Sequence, residues 1–303
     1  MWNEARKRQF LAEKSQKAIL SQNLQNAFNL VEKKEAKLNK DIAEFTSEEI
    51  IEFYKYLTTP SIQSLIQLHT SLTEYCNWCM SNGLIPDNQN HFLEIRTEVL
   101  CGCIDSAKYN RLIFSREQLL STIKELPNYV DRFIFLGIFE GIPVKGNVLY
   151  NVKMSDLNGN ALTLSNGKTI EISDELVKIM VASNEEETYQ SMGKTELVYE
   201  YIPSNNIIKL TISKRVSNNT LIYIGNRFRT CCKYLGLPEG MTIKMVAEGG
   251  RIHLIKEIAA LRGISPEEVL RNQSIRASIE ERYGKIQNIK TYIETNRDFL
   301  KET

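Results

Sequence analysis

One stretch of the chain reads clearly as β structure: Ala161-Leu-Thr-Leu164, then Ser-Asn166-Gly167-Lys168, then Thr-Ile-Glu-Ile172. Apolar and polar residues alternate on both sides of an Asn-Gly turn, the signature of a hairpin with one buried face. ELVYEYI (196–202) and IIKLTI (207–212) are further short strand candidates. The rest is patterned at helical spacing. The expected fold class is therefore mainly α with a small β-sheet.

The helical pattern falls into two blocks. Residues 14–38 contain no Gly or Pro, and Ile19, Leu20, Leu24, Ala27, Phe28 and Val31 recur at the period of a helix. Thr46-Ser-Glu-Glu49 is a capping box that opens a second helix through IIEFYKYL. A third follows Pro60 and stops near Gly83 and Pro86, and residues 90–105 form a weaker fourth. SAKYNRL (106–112) reads as a linker, so two domains are expected, 1–108 and 113–303. In the second, Ser115 to Gln118 is again a capping box, residues 128–140 form a very apolar helix, and Ser173 caps a helix after the hairpin. Helices are expected over 220–235 and roughly 250–262. Another opens at Ser265-Pro266, an N-cap with proline at the first helical position, and a last one runs from about 275 toward the end.

Several function classes find no material here. No apolar run approaches the roughly 18 residues of a membrane span, and MWNEARKRQF lacks the apolar core of a signal peptide. A cytoplasmic protein with no membrane partner is expected. Six cysteines include the pairs Cys76/Cys79 and Cys101/Cys103, a conceivable zinc spacing. Cys76 and Cys79 lie on an apolar helix (YCNWCM), however, where cysteine behaves as a small hydrophobe, and neither a metal nor a cofactor is expected. There is no P-loop, nucleophile elbow or H-E-x-x-H. Three dispersed histidines, His69, His91 and His253, give a His-centred triad little to work with.

Net charge is only +1, but its distribution is uneven. Residues 1–40 carry nine Lys/Arg against four Glu, including Arg6, Lys7, Arg8, Lys14 and Lys17. Residues 201–238 carry Lys209, Lys214, Arg215, Arg227, Arg229 and Lys233 and no acid, with Tyr223 and Phe228 interleaved. Two basic stretches fit either a polyanion-binding surface or a solvated face. A further oddity is KMVAEGGRIHLIK (244–256), where two glycines interrupt a helical pattern at about 1 kcal/mol each relative to alanine. Their placement at the entry of the 250–262 helix would reduce that cost.

The order of these elements resembles the tyrosine recombinase (phage integrase) family. A basic helical N-terminal block is followed by an apolar helix ending in Gly141, a hairpin with a turn lysine, and a helical C-terminal half with a late tyrosine. The resemblance implies a helical core-binding domain and an integrase-like catalytic domain. It also implies a tyrosine nucleophile, two arginines on the scissile phosphate, and a hairpin lysine and histidines that move protons. Lys168, Arg251 and Tyr283 match the family's lysine, second arginine and nucleophile. The first arginine, from a "tGlR..E" pattern, meets Gly141-Ile-Pro143-Val-Lys145, with Pro143 in its place or Lys145 after a shift of alignment. Glu248 replaces the histidine of H-x-x-R, and Asn272 the later one.

A phenol with a pKa near 10 is a poor nucleophile unaided, and losing one oxyanion donor typically costs about 100- to 1000-fold in rate. The resemblance thus implies a recombinase scaffold without strand cleavage, on which double-stranded DNA remains the partner. Lys14, Lys17, Lys145, Lys168, Lys209, Lys214, Arg215, Arg227, Arg229 and Arg251 are the expected DNA contacts. Such a chain also resembles integrase-like lysogeny repressors of SPβ-type phages of Bacillus, which would act in the cytoplasm of a bacterial host. Two alternatives stand beside it. One is a divergent active recombinase using Tyr283, Arg251 and Lys145, and the other a protein-interaction module that regulates a recombinase. The apolar positions of 285–302 suggest that this segment docks either on a second copy or on its own domain.

Overall fold

A computed structural model describes residues 2–14, 18–57, 62–193, 195, 197–211 and 220–301. The chain divides into two compact units: Met1–Asn110 with Lys290–Thr295, and Arg111–Ile289 with Asn296–Thr303.

The first unit is helical. Helix α1 (Glu4–Lys14) precedes α2 (Ala18–Leu38), α3 (Ser47–Tyr56), α4 (Ile62–Ser81) and the short α5 (Thr97–Cys101) and α6 (Ser106–Asn110). The expected 106–112 linker thus contains α6, and the 90–105 segment is one 3-10 turn (His91–Glu94) followed by α5. Thr46 caps α3 as its box requires: its side chain accepts from Glu49 N at 3.4 Å while Glu49 accepts from Thr46 N at 2.9 Å. The core is aromatic, with Phe10, Phe28 and Tyr75 meeting edge to face. Cys76 and Cys79 are buried free thiols in it. Helix α1 was hidden by its charge: Phe10 faces inward, and Lys7 is fully buried on Glu35 at 2.5 Å.

The second unit wraps helices around the mostly apolar α8 (Tyr129–Phe139), whose residues from Val130 on are all buried except Arg132. Helix α7 (Arg116–Ile123) precedes it, and α9 (Asp174–Glu185) packs on it after the hairpin. The three-stranded antiparallel sheet runs β1 (Leu157–Asn158), β2 (Ala161–Thr163), β3 (Thr169–Glu171), with Leu162 opposite Ile170. Gly167 takes the left-handed φ of +82° that the turn demands. A second antiparallel pair joins β4 (Thr188–Gln190) to β5 (Val198–Glu200). The expected strand at 207–212 is not one over its described residues. Residues 207 and 208 bend, Thr211 makes an isolated bridge with Tyr201, and residue 212 lies outside the described residues.

Helices α10 (Thr220–Tyr234), α11 (Ile243–Arg262), α12 (Pro266–Arg271) and α13 (Gln273–Tyr283) complete this unit, with α15 (Arg297–Lys301) packed on α11 and α12. The expected long C-terminal helix is broken. Gly284 (φ +91°) ends α13, and α14 (Ile289–Thr295) is separate from α15, with all but its first residue grouping with the first unit. Helix α11 also begins seven residues earlier than the spacing suggested, so Gly249-Gly250 lies inside it.

Candidate active site

Three backbone features converge at the end of α13. Asn272 starts this helix by accepting from Ser274 N and Ile275 N at 3.1 and 3.2 Å. Eleven residues later the helix delivers Glu281, Arg282 and Tyr283. Helix α8 ends beside it, with Gly141 at φ +84° and Pro143 just beyond. Helix α11 closes the third side through its glycines. A Cβ on Gly250 would lie 1.6 Å from Phe139 O, and one on Gly249 2.6 Å from Phe114 O. Gly250 lets the backbones of α8 and α11 touch, and Gly249 lets the segment just before α7 lie against α11.

Tyr283 fills the remaining corner. Its hydroxyl donates to the Phe139 carbonyl at 2.6 Å and would be 3.0 Å from a Gly250 Cβ. The residue as a whole is only partly buried, but its hydroxyl end is enclosed. Burial raises the phenol above its ordinary value, opposed in part by Arg282 and Arg251. The acceptor is a carbonyl at the negative end of a helix, which further disfavours a phenolate.

Arg282, which the sequence reading passed over, lies across Gly141. A Cβ there would sit 2.4 Å from its Cγ. Its Nε donates to Glu140 O at 2.6 Å and its Nη2 to Glu171 O at 2.9 Å, tying α13 to α8 and to the hairpin. The Glu140 side chain accepts from Ser173 N at 2.8 Å and from the Ser173 hydroxyl, and Arg116 stands 3.8 Å away. Burial raises this carboxyl above its ordinary range against the pull of those bonds. No local sequence signal marks this contact, because Gly141 and Arg282 are far apart in the chain.

The two remaining cations are each matched by a carboxylate. Arg251 Nη1 pairs with Glu248 at 3.2 Å while its Nη2 donates to Tyr283 O at 2.7 Å. Lys168 reaches from the hairpin turn to Glu281, 3.1 Å from its carboxylate. Thus Lys168, Arg251 and Tyr283 do gather around one helix end. Asn272 does not: it occupies the opposite end of α13, about 16 Å away at 1.5 Å per residue, and acts as a cap. Lys145 is exposed on a one-turn helix packed against α10.

Two of the expected DNA contacts are corrected by burial. Arg227 is 7% exposed and bonds Asp131 at 2.6 Å, because a guanidinium inside a core must be paired. Lys209 is 9% exposed and donates to the carbonyls of Asn184 and Glu186 at 2.6 and 2.7 Å, satisfying the end of α9. Lys7 is spent on Glu35, Tyr223 is partly buried and Phe228 is buried. Lys14 and Arg229 are exposed. Lys17, Lys214 and Arg215 lie outside the described residues. Among the described residues no cluster of three or more His, Cys, Asp or Glu could hold a metal ion, and no helix is long and apolar enough to cross a membrane.

Residues 1–81 match the family model described as MrpR, N-terminal core-binding domain, and residues 113–303 that of MrpR, C-terminal catalytic domain. The chain is 23% identical to the SPbeta prophage-derived uncharacterized protein YopR of Bacillus subtilis (strain 168), covering 100% of this chain and 98% of that one. A solved structure of XerA recombinase covers 97% of this chain and 96% of its own at 14% identity, with a TM-score of 0.37.

Proposed function

The chain belongs to the MrpR family, a recombinase-like scaffold, and from that premise we propose that it binds double-stranded DNA sequence-specifically without cutting it. The observation that carries this reading is the bond from the Tyr283 hydroxyl to Phe139 O. A nucleophile must lose its proton and reach a phosphorus. This one is hydrogen-bonded inward and raised in pKa by burial. Arg251 and Lys168 are held by Glu248 and Glu281, so the charge that would neutralise a transition state is already matched.

What such a scaffold retains is its grip on the duplex. Cations on phosphates supply most non-specific affinity, and base contacts add sequence. Exposed Lys14, Lys145 and Arg229 remain for that purpose. The two domains, 1–108 and 113–303, would share the contacts. With a prophage protein as full-length relative, the biological reading is a phage transcriptional repressor that controls lysogeny in the bacterial cytoplasm. Gel shifts on promoter fragments from its own genomic neighbourhood test it. Binding indifferent to sequence at physiological salt would sink it.

One observation favours a second reading, an active divergent recombinase: Lys168, Arg251 and Tyr283 surround a single helix end. A nicked suicide duplex decides between the two. A covalent adduct that Tyr283→Phe abolishes would establish cleavage, and its absence supports a binding protein.

A further inference from the structure

Helix α1 is seated on the first unit by charge pairs as much as by apolar packing. Of its eleven residues only Lys7 and Phe10 are buried. Lys7 bonds both oxygens of Glu35 at 2.5 Å. Asp41, fully buried, accepts from Asn3 Nδ2 at 2.9 Å and from the Tyr75 hydroxyl at 3.1 Å, and Arg6 stands 3.7 Å from it. The Phe10 ring centre lies 6.2, 5.3 and 5.6 Å from those of Phe28, Tyr75 and Trp78, and Trp78 Nε1 donates to Glu13 at 2.6 Å. This seat is selective. Depriving a buried carboxylate of its cation is strongly destabilising, so the seat takes a helix with two adjacent cations and an aromatic ring three residues on.

Helix α1 runs back along α2, since Lys7 meets Glu35 near the far end of α2 and Phe10 meets Phe28 nearer its middle. The reversal falls between Lys14 and Ala18, and the three residues between them, Ser-Gln-Lys, lie outside the described residues. No glycine or proline occurs anywhere in residues 1–59. Nothing in the sequence therefore breaks a helix at this point, and glutamine and lysine are good helix formers. Helices α1 and α2 can run on as one helix from residue 4 to 38. In that helix Lys7 would stand about 42 Å from the Glu35 of its own chain at 1.5 Å per residue. Its cation could then reach only the Glu35 of another copy. Two such helices, antiparallel about a two-fold axis, bring each Lys7 to the other's Glu35.

We propose that two copies of the chain exchange α1, each seating it on the Glu35–Asp41 site of the other, with α1 and α2 joined into one helix in each copy. The exchange breaks none of the contacts that seat α1. It is also symmetric and closed, because residue 7 of each copy meets residue 35 of the other. Protein concentration then decides between the closed single chain and the exchanged pair. A foreign helix would have to repeat Arg6, Lys7, Phe10 and Glu13 in register, and a second copy carries them already. The interface lies in the first unit and needs neither DNA nor Tyr283.

The test is charge exchange in the full-length protein, read by sedimentation. Lys7→Glu sets two carboxylates against each other within its own chain, and Glu35→Lys two cations. Each variant alone is expected to sediment at the 34.9 kDa of one chain, with α1 open to trypsin. Mixed in equal amounts, each introduced charge meets its opposite on the other copy. The mixture is expected to double in mass and to regain protection of the bonds after Arg6 and Arg8. A mixture that stays at the mass of one chain would overturn the proposal, and so would a variant that doubles alone. A second measurement covers variants that do not fold. The unaltered chain is unfolded in urea and refolded at high concentration, beside Gln16→Pro, in which proline breaks a helix running through that position. A doubled mass in the unaltered chain that Gln16→Pro abolishes is expected. No doubling, or doubling in both, would overturn the exchange.

Discussion

The Tyr283 hydroxyl caps the Phe139 carbonyl at 2.6 Å, and the reason lies four residues beyond Phe139. In a continuing helix that carbonyl would accept the N–H of residue 143, but residue 143 is proline and has none. The turn instead routes Ile142 N to Gly137 O and Gly141 N to Ile138 O, which passes over Phe139. Pro143, standing where the resemblance puts an arginine, and Tyr283, standing where it puts a nucleophile, are thus two halves of one helix cap. The residue at the position the resemblance gives to the nucleophile is part of the α8–α13 packing.

Tyr283→Phe should therefore act on stability before it acts on chemistry. It leaves a buried carbonyl unpaired at about 1–3 kcal/mol. Urea unfolding followed by circular dichroism is expected to show that loss, with duplex affinity unchanged once the protein is folded. An unchanged midpoint would mean that the cap contributes nothing.

Gly250→Ala sets helix propensity against packing. Alanine gains about 1 kcal/mol within a helix. The new methyl would lie 1.6 Å from Phe139 O, however, and backbone cannot move aside as a side chain can. Overpacking of this kind costs about 1–3 kcal/mol or more, so a lowered melting temperature in calorimetry is the expected sign. A higher one would show that α8 and α11 are not in backbone contact.

The glycine pair also shows what the sequence could and could not disclose. Capping boxes at Thr46, Ser115 and Ser265 were legible because they are local chemistry, written within four residues. That Lys168, Arg251 and Tyr283 lie together could be expected from the order of elements, and they meet at the end of α13. Gly249-Gly250 misled, because a close approach by Phe114 and Phe139 is a tertiary fact that no local window contains. The same holds for Arg227 and Lys209. Both sit in an acid-free stretch that reads as solvent-facing, and their partners, Asp131 and two carbonyls near residue 185, are distant in sequence. Arg282 escaped because nothing in its neighbours announces that it lies across Gly141.

In the first unit, His69 makes stability depend on pH. Burial lowers its pKa below the ordinary value of about 6.5. The unfolded chain then binds a proton between the folded pKa and 6.5 that the folded chain does not. Stability contributed by the neutral ring is accordingly present above about 6.5 and lost as pH falls through that window. His69→Gln is expected to flatten this part of the urea-midpoint profile. The variant also disturbs the 3.0 Å bond to Tyr54, so the slope between pH 5 and 7, rather than the absolute midpoint, is the measure.

Asp131 carries the largest expected penalty. Asp131→Ala leaves Arg227 charged and buried without its carboxylate, and removing one partner of a buried pair costs about 3–5 kcal/mol. Asp131→Asn keeps the shape and an acceptor oxygen and should lose less. Urea unfolding of both variants measures the difference, and equal midpoints would show that the carboxylate's charge adds nothing beyond its hydrogen bond.

The last prediction concerns the two carboxylates that hold the remnant cations. Glu281 lies 3.1 Å from Lys168, and Glu248 3.2 Å from Arg251. Both place negative charge where the resemblance would put a phosphate, so Glu281→Gln and Glu248→Gln each release a cation while keeping the side chain's shape. If the duplex passes over this end of α13, each released cation adds about one phosphate contact. The slope of log affinity against log salt should then steepen by about 0.9 per contact. The gain should be equal for specific and random duplexes, because phosphates carry no sequence. It should also appear without any cleavage, because Tyr283 stays hydrogen-bonded to Phe139. A slope unchanged in the double variant would place the duplex elsewhere on the unit. Cleavage in that variant would show that the Tyr283–Phe139 bond does not by itself prevent attack on DNA.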